Sequence, residues 1–409
     1  MVALSACAVG SGRSASRQAE DAPVTLPSAA ASPTVVTAAP VTATARTTHT
    51  SSTSHAPTAA RASATSTAIG ALAGPEAQGV VPAAAPATSS GTVYGISAPE
   101  LLDQQTQAEQ FEAMKAIGAT SVRLDANWYW GQPSGPDSFD WTSLDQVVAS
   151  IQEAGISADF IIDGCPSWAA VSGAQGDEFA QPASPAAFAK WAGAVAARYG
   201  SKGVKYFEIG NEPNLSGFWE PKPDPAAYTA DLIAAYAAIK AADPSAIVLS
   251  GGLAPAANTS TSYDPRTFLT DMYADGAKGY FDGVGDHPYS YPAAPDEDET
   301  WSAWSQMSET NPSLRSIMSE NGDSAKKIWI TEYGAPTTGS DSISEAEQST
   351  ELTQAISQVK QLNWIGSFYI YTWSDLSTLP AGDNGFGLLT ENSAQKPAYA
   401  AVKAALASP

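Results

Sequence analysis

The chain has 409 residues, and 42 acidic against 20 basic side chains give it a formal net charge of −22. Such an acidic surface repels nucleic-acid phosphates and anionic lipid headgroups, so we expect no nucleic-acid partner. Two cysteines and three histidines are too few for a disulfide scaffold or a histidine-based zinc site, so we predict neither metal nor cofactor. No apolar run is long enough to predict a membrane-spanning segment.

Residues 1–90 consist mainly of Ala, Thr, Ser, Pro and Gly and contain no Trp, Tyr, Phe or Lys. A segment with so little apolar bulk cannot offset the entropy of ordering the chain, which predicts a disordered low-complexity linker. Near its start, the run that ends at Cys7 resembles a bacterial lipobox, and a true start further upstream would make Cys7 a lipid anchor. The alternative is an Ala-rich tail with a chance cysteine. The long spacer favours export, so we expect an extracellular or cell-surface lipoprotein.

From Thr92 onward, short apolar runs alternate with helical patterns, several of which begin with Ser or Asp followed by Pro, as helix N-termini do. The predicted strands are 93–98, 120–126, 156–163, 204–211, 246–252, 281–287, 327–333 and 366–373. Eight strands alternating with helices predict that residues 91–409 form a (β/α)₈ (TIM) barrel. A doubly wound open sheet is the second possibility, but the first strand is not followed by a glycine-rich phosphate turn.

In a barrel of this kind, the active site is built from the carboxyl ends of the strands, where this sequence places carboxylates and aromatic rings. Glu212 follows the fourth strand and Glu332 ends the seventh. Two such carboxyl groups can perform glycoside hydrolysis, one as a proton donor and one as a nucleophile. Indole rings stack on sugars, so Trp128, Trp168 and Trp219 are candidate subsite walls, with packing as the equal alternative.

The stretches YFEIGNEPN, SVRLDANWYW, GDHPYS and IWITEYGAPT resemble clan A glycoside hydrolases, in particular the cellulase family (family five) and family-thirty-nine-like bacterial endoglycosidases. The resemblance implies that Glu212 is the acid/base and Glu332 the nucleophile of a double displacement. It further implies substrate-site roles for a second group: Arg123 on the nucleophile, Asn211 on the sugar 2-hydroxyl, His287 positioning the acid/base, Tyr289 positioning the nucleophile, and Trp373 as a platform under the sugar.

The third strand lacks the histidine that cellulase-type members carry, which argues against orthodox cellulose cleavage and favours the family-thirty-nine-like branch. We therefore predict a monomeric retaining glycosidase acting on a β-linked polysaccharide or oligosaccharide, with its carboxyl groups about 5–5.5 Å apart. Glu208 is a weaker candidate for a catalytic role and more typical of an interior carboxylate. The alternatives are a catalytically silent carbohydrate-binding barrel at the cell surface, and a Ser or Cys hydrolase that uses His287.

Overall fold

The computed structural model describes residues 91–99, 107–376 and 384–408. The predicted linker 1–90 and the candidate lipid anchor Cys7 lie outside the described residues. No helix in the described ranges is long and apolar enough to cross a bilayer.

Eight parallel strands close into a barrel in sequence order, and β8 pairs with β1 from Val93↔Ser367 to Ser97↔Tyr371. The strands are β1 (Val93–Ser97), β2 (Ser121–Asn127), β3 (Ser157–Asp163), β4 (Val204–Asn211), β5 (Ile247–Gly252), β6 (Gly283–Asp286), β7 (Lys327–Tyr333) and β8 (Ile365–Tyr371). The predicted TIM barrel is therefore confirmed.

The helices return the chain from the carboxyl ends of the strands to their amino ends. They are α1 (Gln107–Ala116), α2 (Trp128–Gly131), α3 (Thr142–Ala154), α4 (Pro185–Tyr199), α5 (Pro225–Ala242), α6 (Pro265–Ala274), α7 (Ala303–Ser308), α8 (Leu314–Glu320), α9 (Glu345–Val359) and α10 (Pro397–Ala407). The predicted N-caps are present, since Ser184 and Asp224 each accept a hydrogen bond from a backbone N–H in the first turn of the following helix.

Side chains that alternate along each strand separate two cores. Outward residues such as Phe160 and Ile162 pack under the helices, whereas Tyr206, Trp329 and Tyr369 fill the lower barrel interior. Above this inner apolar layer the interior becomes polar. This change places charged groups inside the barrel, directly below the carboxyl ends of the strands.

Candidate active site

Glu212 and Glu332 lie at the ends of β4 and β7, with only 3% and 8% of their surfaces exposed. One carboxylate oxygen of each glutamate and one ring nitrogen of His287 all lie within 4.8 Å of one another. The sequence predicted such an approach, and the barrel brings the two carboxyl groups together from across its opening. A gap of this size admits an anomeric carbon between the carboxyl groups and leaves no room for a separate water behind the sugar.

The backbone at Glu212 is unusual, because this non-glycine residue has a positive φ of 44°. Its N–H donates to the carbonyl of Gly252 at 3.0 Å, which fixes the turn against β5. A left-handed conformation costs energy for a residue with a side chain and is held only where the surroundings require it. Here it turns the Glu212 side chain toward His287.

Glu332 receives hydrogen bonds on both oxygens. Arg123 donates through Nη1 to Oε1 at 2.5 Å, and the Tyr289 hydroxyl donates to Oε2 at 2.8 Å. Arg123 also donates through Nη2 to Asn211 Oδ1 at 2.7 Å, which turns the amide nitrogen of Asn211 away from the guanidinium. Four predicted site residues therefore share one hydrogen-bond network.

Glu212 has a different partner. His287 Nδ1 lies 3.0 Å from Glu212 Oε1 and 3.6 Å from Glu332 Oε2. His287 Nε2 is buried with no hydrogen-bond partner among the described residues, and a side chain at Gly252 would collide with it. A buried N–H without an acceptor is costly, so the arrangement assigns the ring proton to Nδ1, which donates to Glu212.

Burial raises the pKa of both carboxyl groups. Because the two groups have different partners, their pKa values differ. At Glu332 the charge of Arg123 and the hydrogen bond from Tyr289 oppose the effect of burial. At Glu212 the main group that opposes the effect of burial is His287. Burial lowers the pKa of His287 itself. Since the permanent cation contacts Glu332, the first negative charge of the pair belongs there, and Glu212 keeps its proton.

Glu212, His287 and Glu332 are the one group of metal-ligand side chains within the described residues whose atoms lie this close together. Both oxygens of Glu332 already accept hydrogen bonds, and Arg123 places a positive charge beside the same carboxylate. This donor set is suited to proton transfer and nucleophilic attack.

Glu208 lies deeper in the barrel than the catalytic candidates and is fully buried. It accepts hydrogen bonds from Arg123, from the N–H of Gly252 at 2.6 Å and from Thr331 Oγ1 at 3.0 Å. All of these contacts are internal. Glu208 is therefore a structural carboxylate that orients Arg123.

Trp373, the expected sugar platform, is only 2% exposed, and its ring packs 6.0 Å from that of Tyr399 in α10. This corrects the sequence interpretation. β8 ends at Tyr371, so the inward alternation of the strand does not continue to Trp373. The last inward aromatic side chain is instead Tyr371, which is 9% exposed and packs with Tyr289 and Phe386. Tyr289 in turn donates to Glu332.

The three other candidate tryptophans occupy different environments. Trp128 is fully buried and Trp219 nearly so, and the ring of Trp219 meets that of Tyr228 at a steep angle, so both pack in the hydrophobic core. Trp168 keeps 37% of its surface exposed while its edge meets Trp128. Two exposed indoles were not selected from the sequence as binding residues, Trp130 and Trp301. Trp130 lies in the short helix α2 and Trp301 in the turn before α7, and the sequence carries no periodic signal for the exposure of either.

Cys165 is fully buried, and burial raises the pKa of its thiol to about 12. His287, the ring that a cysteine or serine nucleophile would need, is bonded to Glu212. The arrangement therefore does not support the Ser or Cys hydrolase alternative.

Comparison with known proteins gives a family match and several similar folds. The family model described as Cellulase (glycosyl hydrolase family 5) matches residues 85–369. A search of curated protein sequences gave no match.

Three solved structures illustrate the similarity. A family 39 glycoside hydrolase from Bacteroides cellulosilyticus WH2 gives a TM-score of 0.60 at 22% identity, covering 76% of this chain and 63% of that chain. A monomeric beta-xylosidase from Caulobacter crescentus CB15 gives 0.56 at 22% identity, covering 78% and 69%. A GH5_18 variant from Streptomyces cattleya in complex with Manb1-4GlcNAc gives 0.60 at 17% identity, covering 78% and 82%. The chain thus spans less than two thirds of the length of the first, and at these identities the likenesses show a shared fold.

Proposed function

We propose that this chain, which belongs to glycosyl hydrolase family 5, the cellulase family, is a glycosidase that cleaves a β-linked polysaccharide or oligosaccharide with retention of configuration. The observation that carries the proposal is that the two carboxyl groups at the barrel opening have different hydrogen-bond partners. Glu332 is held by a cation and a phenol, and Glu212 by a neutral imidazole, with their carboxylate oxygens within 4.8 Å.

In the first step, the Glu332 carboxylate attacks the anomeric carbon as the bond to the leaving oxygen breaks. Glu212 gives its proton to that oxygen, which leaves as an alcohol, and a covalent glycosyl–Glu332 ester remains. Because His287 donates to Oε1 of Glu212, the acidic proton of Glu212 resides on Oε2.

In the second step, the ionised Glu212 takes a proton from water, and the resulting hydroxide equivalent attacks the anomeric carbon. The ester bond breaks, Glu332 recovers its negative charge, and Glu212 is protonated again. Two successive inversions retain the β configuration. Arg123 and Tyr289 stabilise Glu332 each time it carries charge.

The substrate-binding roles extend this proposal to neighbouring side chains. With Asn211 Oδ1 bonded to Arg123, its amide N–H₂ is left to donate to a sugar hydroxyl. Tyr371 takes over the platform role first expected of Trp373. Trp168, partly exposed, remains a candidate wall further along the cleft.

The test uses Glu332→Ala and Glu212→Ala on aryl β-glycosides with good and poor leaving groups. We expect Glu332→Ala to lose activity on every substrate and to be rescued by azide with inverted configuration. Glu212→Ala should keep more activity on good leaving groups, which need little protonation, and azide should rescue it with retained configuration.

The matched control is Glu153→Ala, an exposed glutamate of α3 on the opposite face of the barrel, which should leave turnover unchanged. Inverted product from the unmodified enzyme, or an exchanged rescue pattern, would contradict the assignment. No hydrolysis of any β-glycoside would instead favour the silent carbohydrate-binding barrel.

A further inference from the structure

The ring of Tyr289 carries the hydroxyl that donates to Oε2 of Glu332 at 2.8 Å. Tyr289 lies three residues beyond β6, which ends at Asp286, so the hydrogen bonds of the barrel strands do not fix its position. A hydrogen bond weakens steeply as its length and angle depart from the optimum. The contacts of the Tyr289 ring therefore decide how well its hydroxyl reaches Glu332.

Phe386, in the loop between β8 and α10, packs on this ring and is only 1% exposed. Its centroid lies 5.8 Å from that of Tyr289, and the two planes meet at 70°. The same ring meets Tyr291 at 5.7 Å and Tyr371 at 5.3 Å, both at steep angles. Tilted pairs at these distances are favourable for aromatic rings. Phe386 therefore restricts the orientation of Tyr289, to which Tyr333 adds a nearly parallel contact at 6.4 Å.

Buried polar side chains anchor the backbone next to Phe386. The carbonyl oxygen of Gly385 accepts hydrogen bonds from Lys396 Nζ at 2.9 Å and from Gln348 Nε2 at 3.3 Å. It also accepts one from the backbone N–H of Thr337 at 3.0 Å. Lys396 is 3% exposed and Gln348 is fully buried, and such groups are stable inside a protein only with partners. The position of this carbonyl is thus fixed by three separate parts of the chain.

The same segment lies tightly against the loop that follows β7, the strand of Glu332. A Cβ atom at Gly385 would come within 2.7 Å of the backbone nitrogen of Thr338 and 2.8 Å of that of Thr337. Backbone atoms do not yield to such contacts as the ends of flexible side chains do, so this close approach requires glycine. A side chain at Gly385 would therefore shift the backbone next to Phe386 without removing an aromatic ring.

Phe386 is too deeply buried to present a surface to a sugar, so any effect on the reaction passes through its neighbours. Tyr289 offers a direct path, because its ring contacts Phe386 and its hydroxyl contacts the carboxyl group of Glu332. When a buried ring is removed, the surrounding side chains relax partly into the space that it leaves. Loss of the Phe386 ring would therefore give Tyr289 room to move out of its hydrogen bond.

We propose that Phe386 is a positioning residue whose ring keeps the Tyr289 hydroxyl within hydrogen-bond distance of Oε2 of Glu332. The inference rests on the proposed function, in which Glu332 is the nucleophile, and adds to it a side chain that touches neither the substrate nor the reacting atoms. A phenylalanine that served only to fill the core would change stability and leave the ionisation of Glu332 as it is. The ionisation of Glu332 therefore separates the two roles.

The test follows the acidic limb of the kcat/KM profile on the dinitrophenyl β-glycoside that the enzyme hydrolyses fastest, because this leaving group needs no proton from Glu212. Burial raises the pKa of Glu332, and the pKa rises further when the opposing hydrogen bond from Tyr289 is weakened. Phe386→Ala and the milder Phe386→Leu should therefore move this limb upward by about 0.5 to 1 pH unit. Gly385→Ala, an independent route to the same displacement, should move it in the same direction.

A double substitution gives the sharpest control. In Tyr289→Phe, which lacks the hydroxyl, adding Phe386→Leu should move the limb no further, because two changes that act through one hydrogen bond are not additive. Phe268→Leu is the matched control, since Phe268 is a fully buried phenylalanine of α6 that packs on Tyr228. It should lower the melting temperature and leave the limb in place. Circular dichroism and thermal unfolding check that each variant folds.

Crystal structures of the unmodified protein, Phe386→Leu and Gly385→Ala add a measurement that needs no substrate. The distance between the Tyr289 hydroxyl and Oε2 of Glu332 should lengthen in both variants beyond about 3.2 Å, which is outside the usual range of a hydrogen bond between two oxygens. Phe268→Leu should leave this distance unchanged.

An acidic limb that stays in place in the Phe386 variants, an equal shift with and without the Tyr289 hydroxyl, or an unchanged distance would overturn the inference. These outcomes are separable from the proposed function. An enzyme that hydrolyses aryl β-glycosides with retention, but whose acidic limb and hydroxyl distance do not respond, keeps the function and loses the positioning role. A lengthened distance in a protein that hydrolyses no β-glycoside does the reverse.

Discussion

Arg123 and Glu208 form a fully buried ion pair, joined by Nε to Oε2 at 2.6 Å and Nη2 to Oε1 at 3.2 Å. This two-point contact fixes the plane of the guanidinium, and the remaining N–H groups of Arg123 can then reach Glu332 and Asn211. Glu208, inside the barrel, thus orients the guanidinium that contacts Glu332, the proposed nucleophile at the opening. Arg123 therefore contributes both to the stability of the barrel and to the proposed catalytic site.

The first prediction concerns that ion pair. Glu208→Ala leaves a buried guanidinium short of its main partner, and removing one member of a buried pair costs about 3–5 kcal/mol of unfolding free energy. Urea denaturation measures the loss. Asp137→Ala is the control, because its ion pair with Lys190 is exposed and should contribute less than about 1 kcal/mol. A similar, small effect of both changes would contradict this account of Glu208.

The second prediction concerns Tyr289, whose hydroxyl stabilises the ionised form of Glu332. Tyr289→Phe removes that donor, so the pKa of Glu332 rises further. The acidic limb of the kcat/KM profile, which reports ionisation of the nucleophile, should move upward by about one pH unit. The basic limb should stay in place, and movement of that limb alone would contradict the assignment of Glu332 as nucleophile.

The third prediction concerns His287, whose hydrogen bond lowers the pKa of Glu212 against the effect of burial. His287→Leu keeps the carboxyl group buried but removes the donor, so the pKa of Glu212 rises. The enzyme then keeps its acid protonated to higher pH, and the basic limb of kcat/KM should move upward by about one unit while kcat falls. In Glu212→Gln the basic limb should disappear. A downward shift in His287→Leu would show that the imidazole does not donate to Glu212.

The fourth prediction concerns the boundary at residue 91. The residues before it carry no aromatic side chain, so they can add little apolar burial to the barrel. A chain that begins at Gly91 should therefore keep the melting temperature and turnover of the full-length protein. Thermal unfolding and aryl glycoside hydrolysis measure both, and a fall of more than a few degrees in melting temperature would move the boundary toward the N-terminus.

Much of this architecture could be predicted from the sequence, because it depends on local chemistry. The apolar runs predicted every strand to within two residues at either end, and closure of the barrel then brought Glu212, His287 and Glu332 together. The positions of side chains on the loops depend on where the chain leaves each strand, and these positions could not be predicted. Neither the packing of Phe386 on Tyr289 nor the approach of Glu178 to Asp163 has a periodic signal, since Phe386 and Glu178 lie on loops.

The last prediction follows from the end of β8, where Tyr371 replaces Trp373 as the candidate platform. Tyr371 packs on Phe386 in the same cluster as Tyr289, which donates to Glu332, whereas Trp373 packs on Tyr399 of α10. Tyr371→Ala should therefore raise KM or lower kcat at least about tenfold, because a sugar in the transition state loses its stacking surface. Since Tyr371 is only 9% exposed and packs on Phe386, this variant should also lose unfolding free energy. Trp373→Ala should lose about 3–5 kcal/mol in unfolding free energy from the cavity it leaves in the core, but the kinetics of the folded enzyme should change little. Urea denaturation and steady-state kinetics on one aryl β-glycoside measure both variants. If Trp373→Ala impaired kinetics without destabilising the barrel, the platform would return to Trp373.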